Sequence, residues 1–194
     1  MSMTYYWLVS FIFNLILSFI TCFIFYMIGY FLLKNAIFTL TPFTLMFVIL
    51  FGWMLAQIGL SVLFQTFLSN SRTANIVGYL LSVWTSLIGA GLNVGVYQLP
   101  TEFPYVLRMY APLGFTRIFY VMMNKCSIGE CIRSWKGVRG ELADCIMYLY
   151  IFFAFTFLLG TYLHEIIPQE YGVKRSPLFP FQLCKSKQAS DDET

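Results

Sequence analysis

Charge is what this sequence has least of. Only 11% of its 194 residues are Asp, Glu, Lys or Arg, against roughly 25% in a soluble domain. None precedes Lys34, none lies between Lys34 and Arg72, and none lies between Arg72 and Glu102. Each of these gaps is longer than the roughly 20 apolar residues that a helix needs to cross a bilayer. Histidine is nearly absent as well. His164 is the only one, next to Glu165, so a His-Glu-x-x-His zinc site is excluded. The chain also has no nucleophile elbow and no Gly-x-x-x-x-Gly-Lys-Ser/Thr phosphate cradle. The five cysteines (Cys22, Cys126, Cys131, Cys145 and Cys184) show neither Cys-x-x-Cys spacing nor a neighbouring histidine cluster, which excludes the usual zinc and redox motifs. A net charge of +3, spread along the chain, does not point to nucleic acid.

What fills the sequence instead is apolar: 59% of the residues are hydrophobic and 20% aromatic. A water-soluble fold of this length could not bury that much apolar surface. The expected fold is an all-α integral membrane protein, a bundle of about four transmembrane helices with a short re-entrant helical hairpin. Spans are expected at about 6–33, 42–68, 74–97 and 145–163. Tyr5, Tyr6 and Trp7 suit an interfacial aromatic belt. Pro42 suits the first turn of the second span. The polar run Ser69-Asn70-Ser71-Arg72 reads as a tight loop. The N-terminus lacks the basic residues of a cleaved signal peptide, and its apolar run is too long for one.

Between residues 98 and 144 the character changes. Pro100, Pro104, Pro112 and Gly114 interrupt a stretch holding six basic and four acidic residues. Residues 104–123 read as two short helices dipping into the membrane, with a fifth span as the other possibility. Cys126 and Cys131 lie in this region and Cys145 directly follows it. Free thiols are the default reading, with a disulfide among them the alternative if the segment faces an oxidising compartment. An even number of spans puts both termini on one side, but the basic residues do not favour that side as cytoplasmic by count, so charge leaves orientation open. After Pro168 the chain reads as a disordered polar tail that ends in Ser190 to Thr194.

Polar residues recur within the spans at helical spacing. Ser10, Asn14, Ser18 and Thr21 form one stripe, Gln57, Ser61 and Gln65 a second, and Asn75, Gly78, Ser82, Ser86, Gly89 and Asn93 a third. One reading is helix glue, through close approach of small residues and hydrogen bonds worth about 0.6 kcal/mol each. The other is a substrate path, with Asn14, Ser18, Gln57, Ser61, Gln65 and Asn93 as contacts. Gly91-x-x-x-Gly95 has the form of a close-packing motif. No uninterrupted span carries a charge near its middle, which argues against a proton relay, a voltage sensor or a charged ion path and favours a large or lipidic substrate.

Four stretches resemble one family. YYWLVSFIFN (Tyr5 to Asn14), FGWMLAQIGLSVLFQTFLSNSRTANIVGYLLS (Phe51 to Ser82), YAPLGFTRIFYVM (Tyr110 to Met122) and YLHEIIPQEYGVKRSPLFPF (Tyr162 to Phe181) are similar, in that order, to the third helix, the fourth and fifth helices, the exoplasmic re-entrant hairpin and the exit from the sixth helix. The family is the A subfamily of ATP-binding cassette transporters, which export lipid. The resemblance implies cytoplasmic termini, an exoplasmic segment at 98–144, and a cytoplasmic linker over 165–194 in which Pro168, Tyr171 and Gly172 lead toward a nucleotide-binding domain. It makes Arg108 and Arg117 headgroup neighbours, with snorkelling as the structural alternative. Membrane lipids, an ATPase domain and the remaining transmembrane helices are the implied partners. No catalytic, metal or cofactor-binding residue is expected in this chain, ATP and Mg being implied only for the missing domain, so that the chain is expected to be a fragment or one part of an assembly. The alternative is a four-span scaffold without transport activity.

Overall fold

The computed structural model describes residues 3–68 and 71–166. Pro168, Tyr171 and Gly172, and the tail expected to be disordered, lie outside the described residues. Among the described residues all regular structure is helical. Helix α1 (Met3–Met27) ends in a π-helical turn, Ile28–Leu32, after which Lys34 turns the chain with φ 46°. A short α2 (Ala36–Leu40) starts at Asn35, whose side chain accepts a hydrogen bond from the Ile37 N–H at 3.2 Å. This is the N-cap role that asparagine fills well. Helix α3 (Phe43–Phe67) begins directly after Pro42, and α4 (Ser71–Gly95) returns antiparallel to it.

Among the described residues, four helices are long and apolar enough to cross a membrane, over Phe11–Leu32, Phe43–Phe67, Ile76–Gly95 and Glu141–Leu163. Between α4 and α7 stand α5 (Tyr105–Met109) and α6 (Ala111–Ser127), separated by Tyr110 alone. Pro112 is accommodated in the first turn of α6, where no intrahelical donor is lost. Helix α7 (Glu141–Ile166) begins four residues before the expected start at Cys145. Its first turn carries Glu141 and Asp144, and acidic side chains there complement the positive end of the helix dipole. Hydropathy alone misses that turn.

The bundle is built on α3 and α7. Glycines let them approach: a side chain at Gly59 would collide with the Thr156 hydroxyl and meet the Phe153 carbonyl oxygen at 3.2 Å, and one at Gly160 would meet the Leu63 backbone nitrogen at 3.0 Å. The Tyr150 hydroxyl donates to the Val48 carbonyl across the same seam at 2.7 Å. By contrast, nothing lies within 4 Å of a side chain added at Gly91 or Gly95. The close packing expected at Gly91-x-x-x-Gly95 is therefore not made within the described residues. It occurs between α3 and α7, which carry Gly52-x-x-x-Ala56 and Thr156-x-x-x-Gly160.

The densest packing lies toward the end of the bundle where α3 begins and α6 ends. Ile37, Leu45, Ile49, Ile118, Met122, Leu142 and Leu149 are buried together there. Trp53 stacks on Phe115 with ring centroids 4.2 Å apart. Helix α6 closes with Gly129 at φ 84°, its N–H bonded to the Cys126 carbonyl while Glu130 N–H reaches Lys125. This left-handed helix stop folds the chain back and brings Cys131 to Cys126, with which it forms a disulfide. Cys145 stays a free, buried thiol.

Candidate functional site

The helices converge on a charged node. Arg117 comes from the middle of α6 and has 0% of its surface exposed. A guanidinium has five N–H donors in a fixed fork, and here each one is taken. Nε and one Nη2 hydrogen go to the two carboxylate oxygens of Glu141, at 3.0 and 3.1 Å. Nη1 donates to Asn93 Oδ1 at 3.1 Å and to the Tyr97 carbonyl at 2.6 Å. The second Nη2 hydrogen goes to the Thr101 carbonyl at 2.7 Å. One side chain thus ties α6 to the last turn of α4, to the chain following it, and to the first turn of α7.

Arg108 on α5, 2% exposed, completes the node. It donates to Glu102 at 3.0 Å and to the Phe103 carbonyl, and stands 3.6 Å from both Glu141 and Asp144. Tyr105 lies under its guanidinium at 4.7 Å from the ring centroid. Burial alone would lower the Arg108 pKa, but the hydrogen bond to Glu102 and the charges of Glu141 and Glu102 outweigh it, so the pKa rises above the ordinary arginine value. Glu141 also accepts the Phe103 N–H at 2.8 Å. Two buried cations and a shared carboxylate repay their desolvation only with geometry of this quality.

The headgroup-neighbour role inferred from resemblance for Arg108 and Arg117 is therefore corrected. Both are enclosed by protein, and every Arg117 donor is spent on a protein acceptor. Snorkelling is corrected for Arg117, which has no exposed surface, whereas Arg108, itself 2% exposed, reaches the exposed Glu102 carboxylate. The sequence signal was a near balance of acids and bases in 98–144. Nothing in the spacing shows that Arg117 pairs with Glu141, 24 residues on.

The polar stripes distribute over several contacts. Ser82 donates to Gln57 Oε1 at 2.7 Å, joining the stripes of α3 and α4, and Ser61 lies beside Gly78 on the same seam. Asn93 is 1% exposed and belongs to the Arg117 node; its amide also donates to the Gly89 carbonyl at 2.8 Å. Gln65 lies half-buried on α3, and Asn14 and Ser18 are half-buried on α1. These six residues do not form one surface: Gln57 and Ser61 face α4, whereas Asn93 is committed at the far end of that helix.

The comparisons bear on what such a bundle is. Over 182 residues, 90% of this chain, it is 30% identical to ABC transporter A family member 9 of Dictyostelium discoideum. The chain is an A-family ABC transporter homologue. It is also 26% identical over 183 residues to A family member 7 of the same organism, and 26% identical over 189 residues to A family member 10 of Arabidopsis thaliana. The chain spans about a fifth of the length of these relatives. No family model and no solved structure matches. With its four apolar helices, this A-family homologue is a multi-pass membrane protein.

Proposed function

We propose that this chain is the membrane-crossing part of an A-family ABC transporter that moves lipid, driven by an ATPase domain carried elsewhere. The observation that supports this most directly is similarity to A-family members over about nine-tenths of the chain, on a bundle of four spans. A lipid cargo agrees with spans that hold no charge at mid-membrane and with a broad apolar exterior. The sequence has no Gly-x-x-x-x-Gly-Lys-Ser/Thr phosphate cradle, and in this reading ATP binding and hydrolysis are assigned to the domain carried elsewhere.

Both termini are cytoplasmic in this reading, and 98–144 lies on the exoplasmic side with α5 and α6 re-entering the membrane. The Cys126–Cys131 pair supports that side as the oxidising one. Pro168, Tyr171 and Gly172 then lead toward the ATPase domain, and the Arg117 node holds the hairpin against α4 and α7 while the cytoplasmic ends move.

Two measurements test the proposal. A blot against the tail is expected to show an endogenous polypeptide much larger than 22.5 kDa, or co-purification of an ATPase subunit. The protein in that form, reconstituted into vesicles, is expected to move fluorescent phospholipid in an ATP-dependent way. A stable homo-oligomer without ATPase or lipid movement would favour the scaffold.

A further inference from the structure

The chain between α6 and α7 carries positive charge that the bundle itself does not use. Arg133, Lys136 and Arg139 fall at intervals of three and are all exposed, with Glu130 the single acid in residues 128–140. Among the described residues none of these three cations has a side-chain partner. The acids that follow, Glu141 and Asp144, are engaged by Arg117 and Arg108.

The segment is nevertheless fixed in place. Ile132 is buried in the apolar core, Val138 packs against that core, and the Cys126–Cys131 disulfide pins the turn that leads in. Trp135 opens a single 3-10 turn, Trp135–Gly137, and donates its indole N–H to the Thr44 hydroxyl at 3.2 Å. Its ring stays 49% exposed. A tryptophan with its polar atom satisfied thus stands half in solvent among unpaired cations, on a backbone already ordered. That ordering lowers the entropy cost of docking a partner.

Three occupants can be compared on charge. A second copy would bring the same cations, and its exposed Glu102 is already bonded to Arg108. An anionic membrane surface belongs to the cytoplasmic leaflet, whereas a disulfide inside the segment belongs to an oxidising side. Basic residues are depleted on that side by the positive-inside rule, so membrane orientation does not account for them. A protein surface fits better. Trp and Arg are the residues enriched at binding hot spots, and opposite charge on the partner steers encounter and fixes register.

We infer that the outward face of residues 128–140 docks a separate protein through an acidic surface, with Trp135 as anchor and Arg133, Lys136 and Arg139 as its charge partners. The choice of protein over lipid rests on the proposed exoplasmic placement of 98–144.

The test uses the protein at its endogenous length in phosphatidylcholine nanodiscs, which expose both faces and carry no net lipid charge. The probe is a fluorescent peptide of glutamate and leucine bearing a photoreactive group. It is expected to crosslink to residues 128–140, with an affinity that falls as salt rises. The triple variant Arg133→Gln, Lys136→Gln, Arg139→Gln is confined to exposed side chains and should unfold at the wild-type temperature while binding about tenfold more weakly. Trp135→Ala should lose at least as much with no change in charge, and Trp135→Phe should retain most of the binding. Absence of binding overturns the inference. So does heparin binding that is equally tight and indifferent to Trp135→Ala, which marks a bare polyanion patch. Crosslinking of the same residues to a photoactivatable phosphatidylglycerol that the peptide cannot displace also overturns it, in favour of a membrane surface. Binding in nanodiscs does not depend on topology, so its failure is distinct from a reversed topology, which thiol labelling of Cys126 and Cys131 in sealed vesicles reads.

Discussion

Arg117 on α6 and Glu141 at the start of α7 are joined by two parallel N–H···O bonds of 3.0 and 3.1 Å, in a setting where the arginine has no exposed surface. Removing Glu141 leaves the buried Arg117 without a carboxylate, and removing Arg117 leaves Glu141 only Arg108 at 3.6 Å and the Phe103 N–H, so a loss toward the about 3–5 kcal/mol of a broken buried pair is expected, larger for Glu141 than for Arg117. Arg117→Met and Glu141→Gln are each expected to lower the thermal midpoint in detergent markedly, measured by tryptophan fluorescence. Arg117→Lys should not restore it, because an ammonium cannot reproduce a planar fork bonded in five directions. The double variant Arg117→Met with Glu141→Leu should recover part of the loss, since an apolar replacement of both partners strands no charge.

The glycine seam makes a second prediction, with opposite outcomes at similar-looking positions. Gly160→Leu should destabilise by at least the roughly 1–3 kcal/mol of an overpacked core, because its side chain would press on the Leu63 backbone. Gly91→Ala should be neutral or mildly stabilising, as it meets nothing and improves helix propensity by up to about 1 kcal/mol. Thermal unfolding of the two variants side by side checks the contrast.

Gln57 separates glue from path. Its hydrogen bond with Ser82 is worth about 0.6 kcal/mol, so Gln57→Leu should leave the thermal midpoint almost unchanged. Lipid movement measured on the same preparation then reads the other role. A loss of transport well beyond the loss of stability identifies a path contact, and parallel small losses identify glue.

Thiol mapping checks the covalent tie. Under non-reducing digestion, Cys126 and Cys131 should resist alkylation and become reactive only after reductant. After reduction, a membrane-impermeant maleimide should label them from the side opposite the tail. Labelling from the tail side would reverse the proposed topology.

Much of this fold could be read from the chain because its physics is one-dimensional. The uncharged runs bounded by Lys34, Arg72 and Glu102 locate three spans by transfer energy alone, and the run between Asp144 and Glu165 locates a fourth. The seam of Gln57 and Ser82 follows from stripes at helical spacing. The node could not be read in this way. Arg117, Asn93 and Glu141 come from three separate helices, and their meeting depends on how the α5–α6 hairpin folds back, which no local pattern encodes. The same applies to Gly59, which faces Phe153 and Thr156, and Gly160, which faces Val62 and Leu63: each contact is made across two helices. Cys131 is an intermediate case: its pairing with Cys126 needs the left-handed turn at Gly129, a local signal that becomes informative only once the end of α6 is known.

Helix α4 is fastened very unequally along its length. At Asn93 it is anchored to a buried arginine by a charge-assisted bond, and ten or so residues earlier a neutral bond from the Ser82 hydroxyl to the Gln57 amide joins it to α3. Force arriving at the Ser71 end would strip the weak fastening long before the strong one. The helix should then behave as a rod pivoting on its Asn93 end, its widest excursion beside the turn that carries Arg72.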